Sequence, residues 1–339
     1  MALRSIALAL VLSVSLAAGP PVDGTATGPE TKPGQTITLR PRFAPGRYVL
    51  TQTMQHQQEV LADGVRRPTQ RVSQTIVSTH EIAPPDAAGR QKRLVAFGPI
   101  RQHIEIGGRA ISYDSEGPAG DQDPNLAAVF EALKAVQFAV TIGPDGKAQN
   151  GGELDETWRQ LAALAPTLER LLPHLKNALT DAIFKGLPAR AAQLLPAGPV
   201  AVAEQWQATV TFEMPFGGEV SYVQNCKLKE VQITAAGRLA VIEFSGTFES
   251  DKVFPAELRG SRLKITKTKF TETGQMQVNA DLGMAVYEKV HQEGEMELSI
   301  MERPGQVTEM RLKQKLDRQE TLRPDQQPQT APASSPTGH

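Results

Sequence analysis

Between residues 275 and 301 apolar and polar side chains trade places at almost every step, and this restricts what the chain can become more than anything else in it. In Gln275-Met276-Gln277-Val278-Asn279-Ala280-Asp281-Leu282 a side-chain period of two collects Met276, Val278, Ala280 and Leu282 on one face and amides and a carboxylate on the other. Gly283 interrupts, and Glu295-Met296-Glu297-Leu298-Ser299-Ile300 resumes the pattern with Met296, Leu298 and Ile300 on the apolar face. Strands with one dry and one wet face predict a large twisted antiparallel sheet.

The same period recurs along most of the chain. Tyr48, Leu50 and Met54 open it, Asp63-Gly64 is a turn signal, and Val72, Ile76 and Ile82 mark a second run that ends at Pro84-Pro85. Ile100, Ile104 and Ile106 share a face before Gly107-Gly108 turns the chain back through residues 110–113. From Asp123 the period lengthens. Leu126, Val129, Phe130 and Leu133 form one helical stripe, Leu154, Trp158, Leu161 and Leu164 a second, and Leu168 to Phe184 a third, with Pro166 and Pro173 as breakers. A hairpin across residues 138–149 separates the first two stripes. Strands resume at Trp206, Ala208, Val210 and Phe212 and continue to Leu316. The expected fold is therefore mainly β (α+β): a large curved antiparallel sheet or half-open barrel with a small helical lid inserted between N- and C-terminal strand groups. The expected organisation is a signal peptide over residues 1–17, a tether over 18–46, one β-rich domain over 47–322 with a helical insert at 124–195, and a disordered tail over 323–339.

The first residues carry the sharpest local signal. Arg4 precedes an apolar run over residues 6–16, which suits the core of a secretory signal and is too short for a bilayer-spanning helix, which needs about 20 residues. Ser15-Leu16-Ala17 fits a small-x-small cleavage site, so the mature chain is expected to start at Ala18, in the periplasm or outside the cell. No cysteine lies near that site, so anchoring through a lipidated cysteine is not expected. Cys226, the one cysteine, shares a strand face with Val220, Tyr222 and Leu228 and reads as a core thiol. Thirty-six basic residues balance thirty-seven acidic ones without a basic patch, which argues against nucleic acid as a partner. Aromatics at 5% argue against platforms that stack bases or sugars.

Catalytic signatures are missing from the sequence: no nucleophile elbow, no His-Glu-x-x-His, no dinucleotide or phosphate-binding glycine loop. Ser261-Arg262-Leu263-Lys264 has the Ser-x-x-Lys form of penicillin-binding acyl-enzymes, but it reads as a strand, where positions i and i+3 point to opposite faces. His56 and His80 share parity with apolar neighbours and His103 does not, and no pair has the spacing of metal ligands. Glu243, Glu249, Glu288, Glu293, Glu295 and Glu297 read as solvated charges on the wet face. No enzyme activity, cofactor or metal is expected.

What remains is the space between sheet and lid. Packed tightly, it is core; packed loosely, it is an apolar cavity for acyl chains or another lipophilic ligand, lined by Trp158, Leu161, Leu172, Trp206, Val210, Phe244, Met276 and Val278. The expected function is thus an exported, non-enzymatic envelope protein that binds a hydrophobic ligand or an envelope protein. The alternative is a structural or protein-interaction module whose sheet edge or wet face docks a partner, with no cavity.

Two resemblances add to this. The opening Arg47-Tyr48-Val49-Leu50, the middle helices, Glu204-Gln205-Trp206 and the turn from Gly274-Gln275-Met276 to Asp281-Leu282-Gly283 resemble a family of bacterial envelope proteins known only as a domain of unknown function. More loosely, a sheet closed by helices resembles the lipoprotein-carrier fold of the bacterial periplasm, a half-open barrel. That second resemblance implies lipid or lipoprotein binding.

Overall fold

The computed structural model describes residues 36–41, 44–143, 148–149, 152–164, 187–213, 219–251, 254–258, 261–303 and 306–325. The expected export signal, the tail beyond residue 325, the third helical stripe and Leu172 lie outside the described residues.

Strand after strand follows the two-residue period. In chain order the first group is β1 (Thr36–Ile37), β2 (Gly46–Ala62), β3 (Val65–Arg66), β4 (Gln70–Ile82), β5 (Gln91–Ile106) and β6 (Arg109–Asp114). Helix α1 (Pro124–Lys134), β7 (Gln137–Ile142), β8 (Ala148–Gln149), α2 (Gly152–Leu164) and α3 (Leu187–Leu194) follow. The last group is β9 (Val200–Ala201), β10 (Gln205–Glu213), β11 (Glu219–Thr234), β12 (Gly237–Ser250), β13 (Phe254–Leu258), β14 (Ser261–Asn279), β15 (Met284–Arg303) and β16 (Gln306–Pro324). All pairings are antiparallel, and fourteen of these strands make one sheet with the order β10-β11-β12-β14-β15-β16-β2-β4-β5-β7-β8. The two strand groups are joined where β16 lies against β2, in register from Met310 opposite Ala62 to Pro324 opposite Tyr48. β10 and β8 end the path, so the sheet does not close on itself among the described residues.

The turns are set by backbone chemistry. Asp63-Gly64 and Gly107-Gly108 both take positive φ at two successive positions (49° and 78°; 58° and 78°), the backbone that matches the twist of a two-residue hairpin. Asp123 caps α1 by accepting from the backbone N–H of Asn125 and Leu126, Pro124 takes the first helical position, and Leu126, Val129, Phe130 and Leu133 are buried.

The alternating run at 275–282 ends earlier than its pattern predicts. Asn279 accepts from the N–H groups of Asp281 and Leu282, which folds residues 280–283 into the turn between β14 and β15. Leu282 consequently projects to solvent, while Met276 and Val278 are fully buried and Ala280 is half-buried against the core. Within the segment expected as a tether, β1 pairs with β9, and Ile37 and Leu39 are buried. The period-two pattern of Thr36-Ile37-Thr38-Leu39 is short and sits among Gly and Pro, which hid it.

The inner face carries two hydrophobic clusters. The larger joins the inward residues of β10–β12 and β14–β16 to Tyr48, Leu50 and Ile82 and to Ala191 and Leu194 of α3. The second joins β4, β5 and β7 to α1 and α2, with Phe138 wedged at 5.3 Å from the Trp158 ring. No described helix is long and apolar enough to cross a membrane.

Candidate functional site

The two clusters are separated by charge. Across the inner face one register row reads Ile242, Met276, Glu288, Glu320, Gln52, Ile76, Ile100. Its ends belong to the two clusters, and its middle is polar and buried. Arg190 of α3 reaches into this band, donating from Nε to Glu288 at 2.7 Å and from Nη2 to Glu272. Arg318 pairs with the other oxygen of Glu288 and lies 3.5 Å from Glu320, which also accepts from Gln52 at 3.1 Å. Arg93 is drawn to Glu320 and donates to His80 Nδ1 at 2.9 Å; His80 Nε2 is 2.7 Å from Ser78 Oγ. Three guanidiniums and three carboxylates thus alternate along one line of ion pairs and charge attractions inside the fold. Tyr222 and Gln224 complete the shell of Glu272.

The electrostatics follow from burial and pairing. Burial, with the Arg93 charge beside it, holds His80 well below the usual imidazole range, so the ring is neutral, accepts from Arg93 and donates to Ser78. Burial pulls the Arg93 guanidinium down to about 10 against the pull of Glu320. For Arg190 burial acts in the same downward sense, yet Glu272 and Glu288 outweigh it and raise the guanidinium well above its ordinary value. Burial lowers His56 to about 4 and pushes the Cys226 thiol up to about 11, as suits an inert core thiol.

The sequence placed Glu288 among the solvated acids, and the structure corrects this: its relative exposure is 0%. Along β15 Glu288 has the parity of the buried Val290, Gln292 and Leu298, with no irregularity between them and it, so it faces inward directly opposite Met276. Glu249 and Glu293 are exposed, and Glu243, Glu295 and Glu297 are half-buried. Arg93, Arg190, Glu272, Arg318 and Glu320 were not singled out. A signal for most of them existed, because charges sit on the apolar parity in Phe270-x-Glu272 and in Leu316-x-Arg318-x-Glu320-x-Leu322.

The residues expected to line one apolar cavity are divided. Trp158 and Leu161 are buried in the cluster under α1 and α2. Val210, Phe244, Met276 and Val278 are buried in the other, and Trp206, half-buried against it, donates from its indole to the Leu194 carbonyl at 2.8 Å. The polar band lies between the two sets.

A groove of about 780 Å³ lies elsewhere. It takes residues 53–55 of β2, 73–75 of β4, 101–103 of β5, 112–114 of β6 and 317–319 of β16, with Lys289 of β15. From each of the first five strands it takes one inward residue and the two outward residues flanking it, and never the next inward residue two positions away. That pattern puts it on the outer, wet face. One wall is the row Lys289, Gln319, Thr53, Thr75, Arg101, Asp114, and the other is Asp317, Gln55, Ser73, His103, Ser112. Crossing from β15 to β6 takes five strand spacings, or roughly 24 Å. His103 Nδ1 lies 2.7 Å from Ser112 Oγ, Arg101 pairs with Asp114 at 3.0 Å, and Asp317 pairs with His291 at 2.7 Å. Among the described residues no set of three or more His, Cys, Asp or Glu side chains is arranged to hold a metal ion.

A family model matches residues 94–285, more than half of the 339-residue chain, and its description is a family of unknown function, DUF6263. The chain belongs to that family. The DUF6263 match begins within β5 and ends at the start of β15, so it omits β2, β4 and β16, which join the two halves of the sheet. No curated protein matches the chain. Among solved structures, one described as "Lipid-protein interactions in lipovitellin" is similar over 87% of this chain at 10% identity with a TM-score of 0.34; the chain spans 26% of its length. The outer membrane protein OprG from Pseudomonas aeruginosa is similar over 83% of this chain and 97% of its own, at 8% identity and a TM-score of 0.20.

Proposed function

We propose that this DUF6263 protein is an exported, non-enzymatic binding module of the cell envelope that docks its partner on the wet face of the sheet. The observation that carries this reading is the transverse groove of about 780 Å³, whose outward walls are hydroxyl, amide and charged side chains. The space between sheet and described helices, where a lipophilic ligand would lie, is by contrast taken up by two hydrophobic clusters and a chain of ion pairs. The buried arginines and glutamates of the polar band are engaged with one another, an arrangement that favours structure over proton transfer to a substrate. Export rests on the charged, then apolar, then small-residue order of the first seventeen residues.

Native mass spectrometry of the protein purified from its own envelope tests this. The expected result is a co-purifying mass that disappears in a Thr53→Trp, Thr75→Trp double variant, which fills the groove. A lipid mass that survives groove filling would overturn the reading in favour of an apolar site. Sequencing the purified chain from its N-terminus is expected to start at Ala18.

A further inference from the structure

We propose that the groove takes a carboxylate-bearing oligosaccharide laid across the strands; this rests on the groove being the docking site. The first observation is charge. Of the groove's two acids, Asp114 is ion-paired with Arg101 and Asp317 is hydrogen-bonded to the His291 ring, and Arg101 is further held by Glu116 at 2.7 Å. Lys289, exposed at one end, pairs with no acid among the described residues. Lys289 is therefore a cation left without an acid partner among the described residues at that end of the groove, and it complements an anionic group on a ligand.

The second observation is an unpaired donor beside that charge. Gln319 stands directly opposite Lys289 in the sheet, is 3% exposed, and its amide nitrogen has no hydrogen-bond partner among the described residues. A buried amide N–H left unmade costs about 1–3 kcal/mol, so a ligand acceptor placed there gains more than at an exposed site. Lys289 and Gln319, opposite each other on neighbouring strands, thus make the seat for a carboxylate, with the charge supplied by Lys289. From that seat the wall continues through the Thr53 and Thr75 hydroxyls toward Arg101.

The third step chooses the kind of chain. Peptides are usually held by apolar side-chain pockets or by pairing with a free strand edge. Neither is offered here: the outward walls are polar, and β16, β2, β4 and β5 are paired on both sides where the groove crosses them. Hydroxyls and amides that both donate and accept suit a ligand whose own hydroxyls do the same along its length. With no outward aromatic ring in the walls, the sugar is held by hydrogen bonds at its edges and not by stacking.

The test is calorimetric titration of the full chain with three probes of similar length: hexagalacturonate, neutral maltohexaose and hexaglutamate. Hexagalacturonate is expected to bind at least tenfold more tightly than maltohexaose, to weaken at least tenfold in Lys289→Glu, and to weaken with added salt. Lys289 is exposed, so its variant is expected to melt with the parent, and a Gln319→Leu variant gives an independent readout at the same seat. Equal binding of the charged and neutral sugars, indifference to both substitutions, or no sugar binding would overturn the inference. Hexaglutamate binding in preference to hexagalacturonate would also overturn it, while leaving the groove as the docking site. The docking reading itself fails on a different result, the insensitivity of the co-purifying mass to groove filling.

Discussion

Arg190 shows how one side chain can hold two parts of a fold together. It leaves α3, passes over the Phe244 ring at 5.3 Å, and ends between Glu272 on β14 and Glu288 on β15. Replacing it with methionine leaves two buried carboxylates short of a partner, and the expected loss is about 3–5 kcal/mol in urea unfolding. Replacing the ionic set with well-packed apolar residues is expected to cost far less, because the penalty arises from the charge left behind. His56 acts through protonation. Its folded-state value of about 4 lies below the ordinary 6.5, so the unfolded chain binds the proton first. Stability attributable to its neutral form is complete above about pH 6.5 and is lost as pH falls to about 4, by on the order of 3 kcal/mol. Melting curves across that window are expected to show a shallower acid slope in His56→Gln. Gly274 has a steric reason. A Cβ there would collide with the Phe244 ring and the Lys289 carbonyl, so Gly274→Ala is expected to destabilise by about 1–3 kcal/mol, as overpacking does.

At the scale of elements, α3 is the informative one. Eight residues are too few for a helix to persist in water on its own propensity. Tertiary contacts hold it: Ala191 and Leu194 in the core, the Arg190 clamp, the Trp206 indole on the Leu194 carbonyl, and Gln193 accepting from the Thr211 N–H at 3.1 Å. Trp206→Phe keeps most of the ring and removes the indole donor, so a loss of about 1 kcal/mol is expected. Hydrogen exchange is expected to quicken over residues 187–194 before it does in the strands. The same element marks where sequence reading stops. Helical periodicity located α1 and α2, because their stripes are long and apolar. It did not reveal that α3 sends an arginine into the sheet, because the carboxylates that receive it lie 82 and 98 residues away.

For the whole molecule the decisive contact is β16 on β2, which joins the last long strand to the first. Residues 94–285 expressed alone would lack β2, β4, β16 and all but the start of β15, together with Arg93, Glu288, Arg318 and Glu320 of the polar band. That fragment is expected to show no cooperative transition in scanning calorimetry, whereas the full chain shows one. Pairings this distant in sequence also predict slow folding.

The alternation of side chains determined by itself that this chain makes a wide antiparallel sheet with one dry face, because parity is a local property that each strand states on its own. It also determined most of the core, including Met276, Val278, Val210 and Cys226. Only the tertiary structure decided what lies between the strands: which neighbours align, that charges on the dry parity find one another across six strands, and that the outward rows enclose a groove. Register and pairing join residues hundreds of positions apart, and a period of two carries no record of which strand stands beside which.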